Sequence, residues 1–254
     1  MNTEQNKPIP LVGRSARYMF VPVELITEYN SGKWMTAMYV YSQVRTGLDD
    51  IAPLNIQCAV TWLGKKQSRS DRGTNANLTA ALRTLIDFGY INTTDDKSEF
   101  IVNPEQRNGR DHFRRYTVLY LDEVERIINY CKENKENHVE KILLLFAYYR
   151  ISIYKRQKEY YDIAEMYNDH FINIAKNTFM TIDTVRWATR ILDKLNLIKC
   201  YTPEPNRLGE DWATGKSIFV NYERRSGSML LDGGDDYYKG EIKKAMEQLE
   251  RAAG

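Results

Sequence analysis

The chain has 254 residues, 43% of them hydrophobic and 28% charged, with a formal net charge of +2. That balance suits a globular protein of two modest domains and excludes a strongly acidic or disordered chain. The longest apolar run, Ile142 to Tyr149, is far too short to span a bilayer, and the polar opening MNTEQNKPIP lacks the apolar core of a secretion signal, so a cytoplasmic protein with no membrane partner is expected.

Residues 1–16 read as a disordered or extended arm. Arg17–Glu24 (RYMFVPVE) is strand-like. Trp34–Arg45 (WMTAMYVYSQVR) is apolar nearly all round, as a buried central helix is. Ile56–Leu63 (IQCAVTWL) gives a short second helix, followed by the turn GKKQSRSDRG. Thr74–Ile91 (TNANLTAALRTLIDFGYI) then reads as one unit: Thr74 as the N-cap, apolar residues at helical spacing (Leu78, Leu82, Leu85, Phe88), a stop at Gly89 and a strand from Tyr90. Two turns compete for the tip of the hairpin that follows, DDKS and RNGR. Asn108-Gly109 is the stronger hairpin signal, and Arg107 and Arg110 would make that tip cationic.

The pattern then starts again. Arg115–Asp122 (RYTVLYLD) resembles Arg17–Glu24 at an offset of 98, and a helix over residues 122–134 joins the copies. Val139–Ser152 (VEKILLLFAYYRIS) is the second central helix and Phe171–Thr178 (FINIAKNT) the second short one. Thr181–Ile198 (TIDTVRWATRILDKLNLI) aligns without gaps on Thr74–Ile91 at an offset of 107. Thr74 matches Thr181, Ala81 matches Ala188, Arg83 matches Arg190, Leu85 matches Leu192 and Ile91 matches Ile198. Gly89 meets Asn196, and both residue types accept a left-handed backbone after a helix. The two offsets differ because the second copy carries nine more residues ahead of its Thr-capped helix.

Helix, tight stop and strand together are the signature of a winged helix, in which the second helix of a helix-turn-helix runs into a β-hairpin. The expected fold is therefore mainly α with small β-hairpins (α+β), as two tandem winged-helix domains over residues 17–115 and 116–223. Residues 224–254 form a linker and a C-terminal amphipathic helix, with Ile242, Met246 and Leu249 on one face.

GEDWATGKS, Gly209 to Ser217, imitates a phosphate-binding loop. It has five residues between its glycines where such a loop has four, and Leu197–Thr202 and Ile218–Tyr222 on either side read as strands. The stretch is better read as a second wing, carrying Arg207 and Lys216. Cys58, Cys131 and Cys200 lie far apart without CxxC spacing, which excludes a disulfide framework or zinc site and leaves three buried or half-buried thiols. His112, His138 and His170 are isolated. No catalytic constellation, metal site or cofactor is expected.

Basic residues cluster. Between Thr61 and Arg83 lie Lys65, Lys66, Arg69, Arg72 and Arg83 against Asp71 alone. Lys65, Lys66, Ser68, Arg69 and Arg72 suit phosphates, while Thr74, Asn75, Asn77, Thr79 and Arg83 lie on the helix face turned from the apolar stripe, where Asn and Arg can read base edges. The second copy offers Thr181, Thr184, Arg186 and Arg190. Arg107, Arg110, Arg207 and Lys216 are wing candidates for the minor groove. Trp187, in place of Ala80, fits an interdomain contact.

Two winged helices in a chain of this size resemble replication initiators of plasmids, phages and other bacterial mobile elements. Tyr18–Val44 is similar to the opening of phage replisome organisers, through Val21, Pro22, Glu24 and Leu25, then Met38, Tyr39 and Tyr41. The resemblance implies recognition of origin repeats in double-stranded DNA, as a monomer or a homodimer, and recruitment of a replicative helicase, its loader or a polymerase. A transcriptional regulator, dimeric through residues 241–253, and a protein-docking module of a segregation complex are the other readings.

Overall fold

A computed structural model describes residues 18–46, 51–68, 70–102, 116–159, 166–201 and 216–221. The first half runs β1 (Tyr18–Pro22), α1 (Val23–Thr27), α2 (Gly32–Thr46), β2 (Ile51–Pro53), α3 (Ile56–Trp62), α4 (Thr74–Asp87), β3 (Ile91–Thr93) and β4 (Glu99–Val102). The second runs β5 (Tyr116–Tyr120), α5 (Leu121–Glu133), α6 (Val139–Glu159), β6 (Met166–His170), α7 (Phe171–Asn177), α8 (Ile182–Lys194), β7 (Ile198–Tyr201) and β8 (Lys216–Asn221). The chain is mainly helical with small antiparallel sheets.

The halves share one order: central helix, strand, short helix, longer helix, two strands. Each half has a three-stranded sheet with its last strand in the middle, β2-β4-β3 and β6-β8-β7. The central helices are buried as their all-round apolarity requires. Met35 to Tyr41 and Val139 to Tyr149 hold most of the largest core side chains, among them Tyr39, Tyr41, Phe146 and Tyr149. The stop residues behave as their chemistry dictates: Gly89 has φ +72° and Asn196 φ +52°.

The first strands of the two halves are related by a local two-fold axis. β1 and β5 form a two-stranded antiparallel sheet, pairing Tyr18 with Tyr120, Phe20 with Val118 and Pro22 with Tyr116. Phe20 and Val118 are also equivalent residues of the repeat, 98 apart, so the axis passes between them. The central helices α2 and α6, equivalent at the other offset, pack on each other beside this seam. Gln43 and Arg150 are 107 apart, and each bonds to its own half's carbonyl on the axis. Gln43 Nε2 donates to Phe20 O at 2.8 Å and Arg150 Nε to Val118 O at 3.4 Å. Equivalent groups meeting one another across an axis is the geometry of a symmetric dimer, here within one chain.

The nine extra residues of the second copy also have a place. α5 has 13 residues where α1 has 5, so the joining helix is a lengthened α1. It reaches the end of α8, where Arg126 Nη1 donates to Leu195 O at 3.0 Å. At the equivalent end of α4, Phe88 stays 49% exposed and rests on Tyr29 (ring centroids 5.4 Å apart), not in the core as its helical spacing predicts.

Three further expectations are corrected. Thr74 is the first residue of α4 and not its cap; Gly73 is the cap. A side chain at Gly73 would collide with Ser68 Oγ, so the position needs glycine. Thr181 is an N-cap as predicted, accepting from Thr184 N at 3.2 Å. The hairpin tip between β3 and β4 is the DDKS turn, and Asn108-Gly109 lies outside the described residues. The tip is acidic: Asp96 accepts from Thr94 Oγ1 at 2.6 Å, Ser98 N at 2.9 Å and Ser98 Oγ at 2.8 Å. These bonds, the Thr94 hydroxyl first, hold its carboxyl down to about 2. Cys58 is exposed and Cys200 half-buried, while burial pushes the Cys131 thiol up to about 12 and leaves it unreactive.

Candidate nucleic-acid interface

The short and longer helices of each half pack together, α3 on α4 and α7 on α8. The residue just past the first helix is left-handed in both copies, Gly64 with φ +69° and Phe179 with φ +52°. From that shared point to Thr74 or Thr181, the first copy has eight more residues. Those eight, Lys65 to Arg72, are the basic stretch KKQSRSDR. The cationic cluster is therefore a loop added to one copy only.

The loop is tied to the first turn of α4 by its own side chains. Asn75 Oδ1 accepts from Ser68 N at 2.8 Å, and Asn75 Nδ2 donates to Gln67 Oε1 at 2.7 Å. Gln67 Nε2 donates to Gln57 O at 2.9 Å, which anchors the loop on α3. Ser70 N donates to Ser68 Oγ at 3.2 Å and Arg72 N to Ser70 Oγ at 3.3 Å. Asn77 Nδ2 donates to Arg72 O at 3.3 Å. Asn75 and Asn77 thus shape the loop, Asn75 with both its amide oxygen and nitrogen and Asn77 with its nitrogen. Thr79 Oγ1 is likewise spent on Asn75 O at 2.8 Å, along its own helix.

Lys65 lies apart from the rest. Its side chain is 9% exposed and its Nζ lies 2.7 Å from Glu140 Oε2 at the start of α6. The charge is used inside the protein, which removes Lys65 from the phosphate-contacting set. Burial alone would raise the Glu140 carboxyl, but His138 and the Lys65 ammonium together bring it below the ordinary range. The loop's cations that face solvent are Lys66 and Arg72, with Gln67, Ser70 and Asp71 exposed beside them and Ser68 half-buried. Arg69 lies outside the described residues.

On α4 and α8, Arg83 and Arg190 hold equivalent positions and both are exposed. Thr184 is half-buried and its hydroxyl lies 2.8 Å from that of Thr181. The Arg186 guanidinium lies 5.8 Å from the Phe171 ring centroid. Trp187 is partly buried and meets the His138 ring edge-on at 6.0 Å. It is packed against His138 of its own half, whose Nδ1 lies 3.6 Å from the carboxylate that binds Lys65.

Arg107, Arg110 and Arg207 lie outside the described residues, as does Gly209 to Gly215. Lys216 begins β8, the middle strand of its sheet, opposite His170. A strand directly after Gly-Lys is the opposite of the helix N-terminus a phosphate-binding loop needs. Among the described residues no three His, Cys, Asp or Glu side chains gather as a metal site, and no helix is long and apolar enough to cross a membrane.

Phe179 has a consequence for stability. A left-handed backbone costs a non-glycine residue about 1–2 kcal/mol, and glycine's extra unfolded freedom returns about 0.5–1 kcal/mol of that. Its ring is 46% exposed, so little packing is lost. Phe179→Gly should stabilise the protein by ~0.5–1 kcal/mol, read as a raised midpoint in urea unfolding. An unchanged or lowered midpoint would show that the ring contributes more than its exposure suggests.

No protein-family model matches the chain, and no curated protein matches its sequence.

Proposed function

We propose that this chain is a pair of tandem winged-helix domains that bind double-stranded DNA sequence-specifically, as a replication initiator or replisome organiser acting on origin repeats. The observation that carries the proposal is the twice-repeated order of helix, strand, short helix, longer helix and two strands, with the last strand central in each sheet. A helix-turn-helix places its second helix in the major groove, which gives α4 and α8 that role and makes Arg83 and Arg190 the arginines for base edges. Lys66 and Arg72, held beside α4 by the Asn75 and Asn77 amides, supply phosphate contacts. Arg69, Arg107, Arg110, Arg207 and Lys216 stay in the proposed set on sequence grounds.

The local two-fold of the first strands, extended over both halves, adds a feature that neither copy has alone. Two reading helices related by a two-fold axis meet DNA half-sites of opposite orientation, as in a dimeric repressor on its operator. One chain thus carries what a regulator obtains by dimerising, which favours an initiator that binds each origin repeat as a monomer. The helicase or loader would be recruited by a separate surface, and the protein would be associated with plasmid or nucleoid DNA.

The salt dependence of binding tests the proposal. Lys66→Ala and Arg72→Ala should each weaken binding across all sequences and reduce the log–log salt slope by about 1. Fluorescence anisotropy with a labelled duplex measures both. Slopes unchanged in both variants would remove the loop from the interface.

A further inference from the structure

The Lys65 side chain leaves the loop of the first half and ends in the second. Besides the Glu140 carboxylate, its Nζ donates to Asn137 O and lies 4.9 Å from the centroid of the Trp34 ring. The other Glu140 oxygen lies 3.6 Å from His138 Nδ1, and the His138 ring meets Trp187. Trp187 is on α8, three residues before Arg190. A continuous line of contacts therefore joins the root of the basic loop to the reading helix of the other half. A second close approach lies beside it, because a side chain on Gly64 would run into Lys132 of α5 at 2.6 Å.

Among the described residues the second copy shows no counterpart to this line. Lys65 belongs to the eight residues found only in the first copy, so the contact is additional to the pairing of β1 with β5 and α2 with α6. A buried ion pair seldom repays its desolvation, which makes bulk stability a poor reason for it. What it does geometrically is tie the loop of the first half to the start of α6, the seam helix of the second. Without it, α4 is joined to the second half chiefly through its packing on α2, which in turn packs on α6.

We propose that the Lys65–Glu140 contact is a positioning clamp that fixes α4 relative to α8, and with it the number of base pairs allowed between the two half-sites. The inference rests on the proposed DNA-reading role. One inserted base pair moves a half-site by about 3.4 Å and turns it by about 35° around the duplex axis. A clamped pair of helices registers that change and an unclamped pair absorbs it.

The test uses the full chain and the site recovered by selection from random duplexes, remade with its half-sites moved apart or together by one and two base pairs. The wild-type protein should lose affinity about tenfold or more for a single inserted pair, the range of a mismatched contact. Glu140→Gln keeps the shape and removes the charge; its penalty should fall to about threefold or less, while its affinity for a duplex with one half-site scrambled stays within about twofold of wild type. Lys65→Met should flatten the profile in the same way, and Lys65→Arg should restore the wild-type profile. If either neutral variant is folded by circular dichroism and keeps the full penalty, the clamp is wrong. Failure of the wild-type protein to select any site would instead overturn the DNA-reading proposal, and the clamp with it.

Discussion

Methionine in place of Arg150 should destabilise the protein by about 3–5 kcal/mol, the cost of breaking a buried ion pair from one side. Arg150 is 7% exposed and stands beside the two-fold axis. Its Nη2 reaches both Glu123 oxygens, at 3.3 and 3.2 Å, and its guanidinium lies 5.4 Å from the Phe146 ring centroid and 5.7 Å from that of Tyr120. Glu123, 1% exposed, also accepts from Tyr120 N at 3.1 Å, so it closes the start of α5 as well as holding the arginine. Removing the cation leaves the Glu123 carboxylate in a dry site without that counter-charge. Gln43→Leu removes the equivalent bond across the axis, but a neutral one, and should cost only about 1 kcal/mol. The Arg150→Met/Glu123→Gln double variant should lose less than the two single variants together, because neither leaves the other's charge exposed to burial. Urea unfolding of the four proteins gives the comparison. A loss under about 1 kcal/mol for Arg150→Met would mean that the strand seam does not depend on this cluster.

Alanine at Arg83 or at Arg190 should each weaken binding to the selected DNA site by about 1–3 kcal/mol, with little change in non-specific binding. These are the exposed arginines that the repeat places at the same point of α4 and α8. If they read bases, each substitution should blur the sequence preference of one half-site only, and the two variants should blur opposite halves. Selection with each variant shows this directly. Loss spread evenly over all sequences would make them phosphate contacts, and no loss would move the interface elsewhere on the molecule.

Much of the helical framework was legible because its signals are local. Gly89 and Asn196 stop their helices with the positive φ their residue types permit. Thr181 caps, and the central helices are buried as apolar residues on every side require. The strands β2 and β6 were missed. β2 is only Ile51-Ala-Pro53, and its pairing partner, β4, lies more than forty residues on in the chain. The two strand-like preludes were visible as a repeat, but no local pattern says that they pair with each other. That pairing is what creates the two-fold axis.

The candidate site was less legible, and the reasons are physical. Lys65 looks like its neighbour Lys66 in sequence; only Glu140, 75 residues away, distinguishes the buried cation from the exposed one. Asn75 and Asn77 have the chemistry to read adenine, and the same chemistry binds their own loop first. Asn-Gly is a strong hairpin signal, yet the hairpin closes earlier at Asp95-Asp96, where the Asp96 carboxylate collects its local donors and Lys97 adopts φ +58°. In each case a polar side chain met a nearer partner than the one its residue type suggested.

Selection of bound duplexes from a random library at physiological salt is the most direct test of the central claim that one chain reads DNA through two helices related by a two-fold. The predicted result is a single enriched site with two half-sites in opposite orientation, their centres about one helical turn apart, bound by one chain. Enrichment of a single half-site, of two half-sites in the same orientation, or of no sequence at all would contradict it.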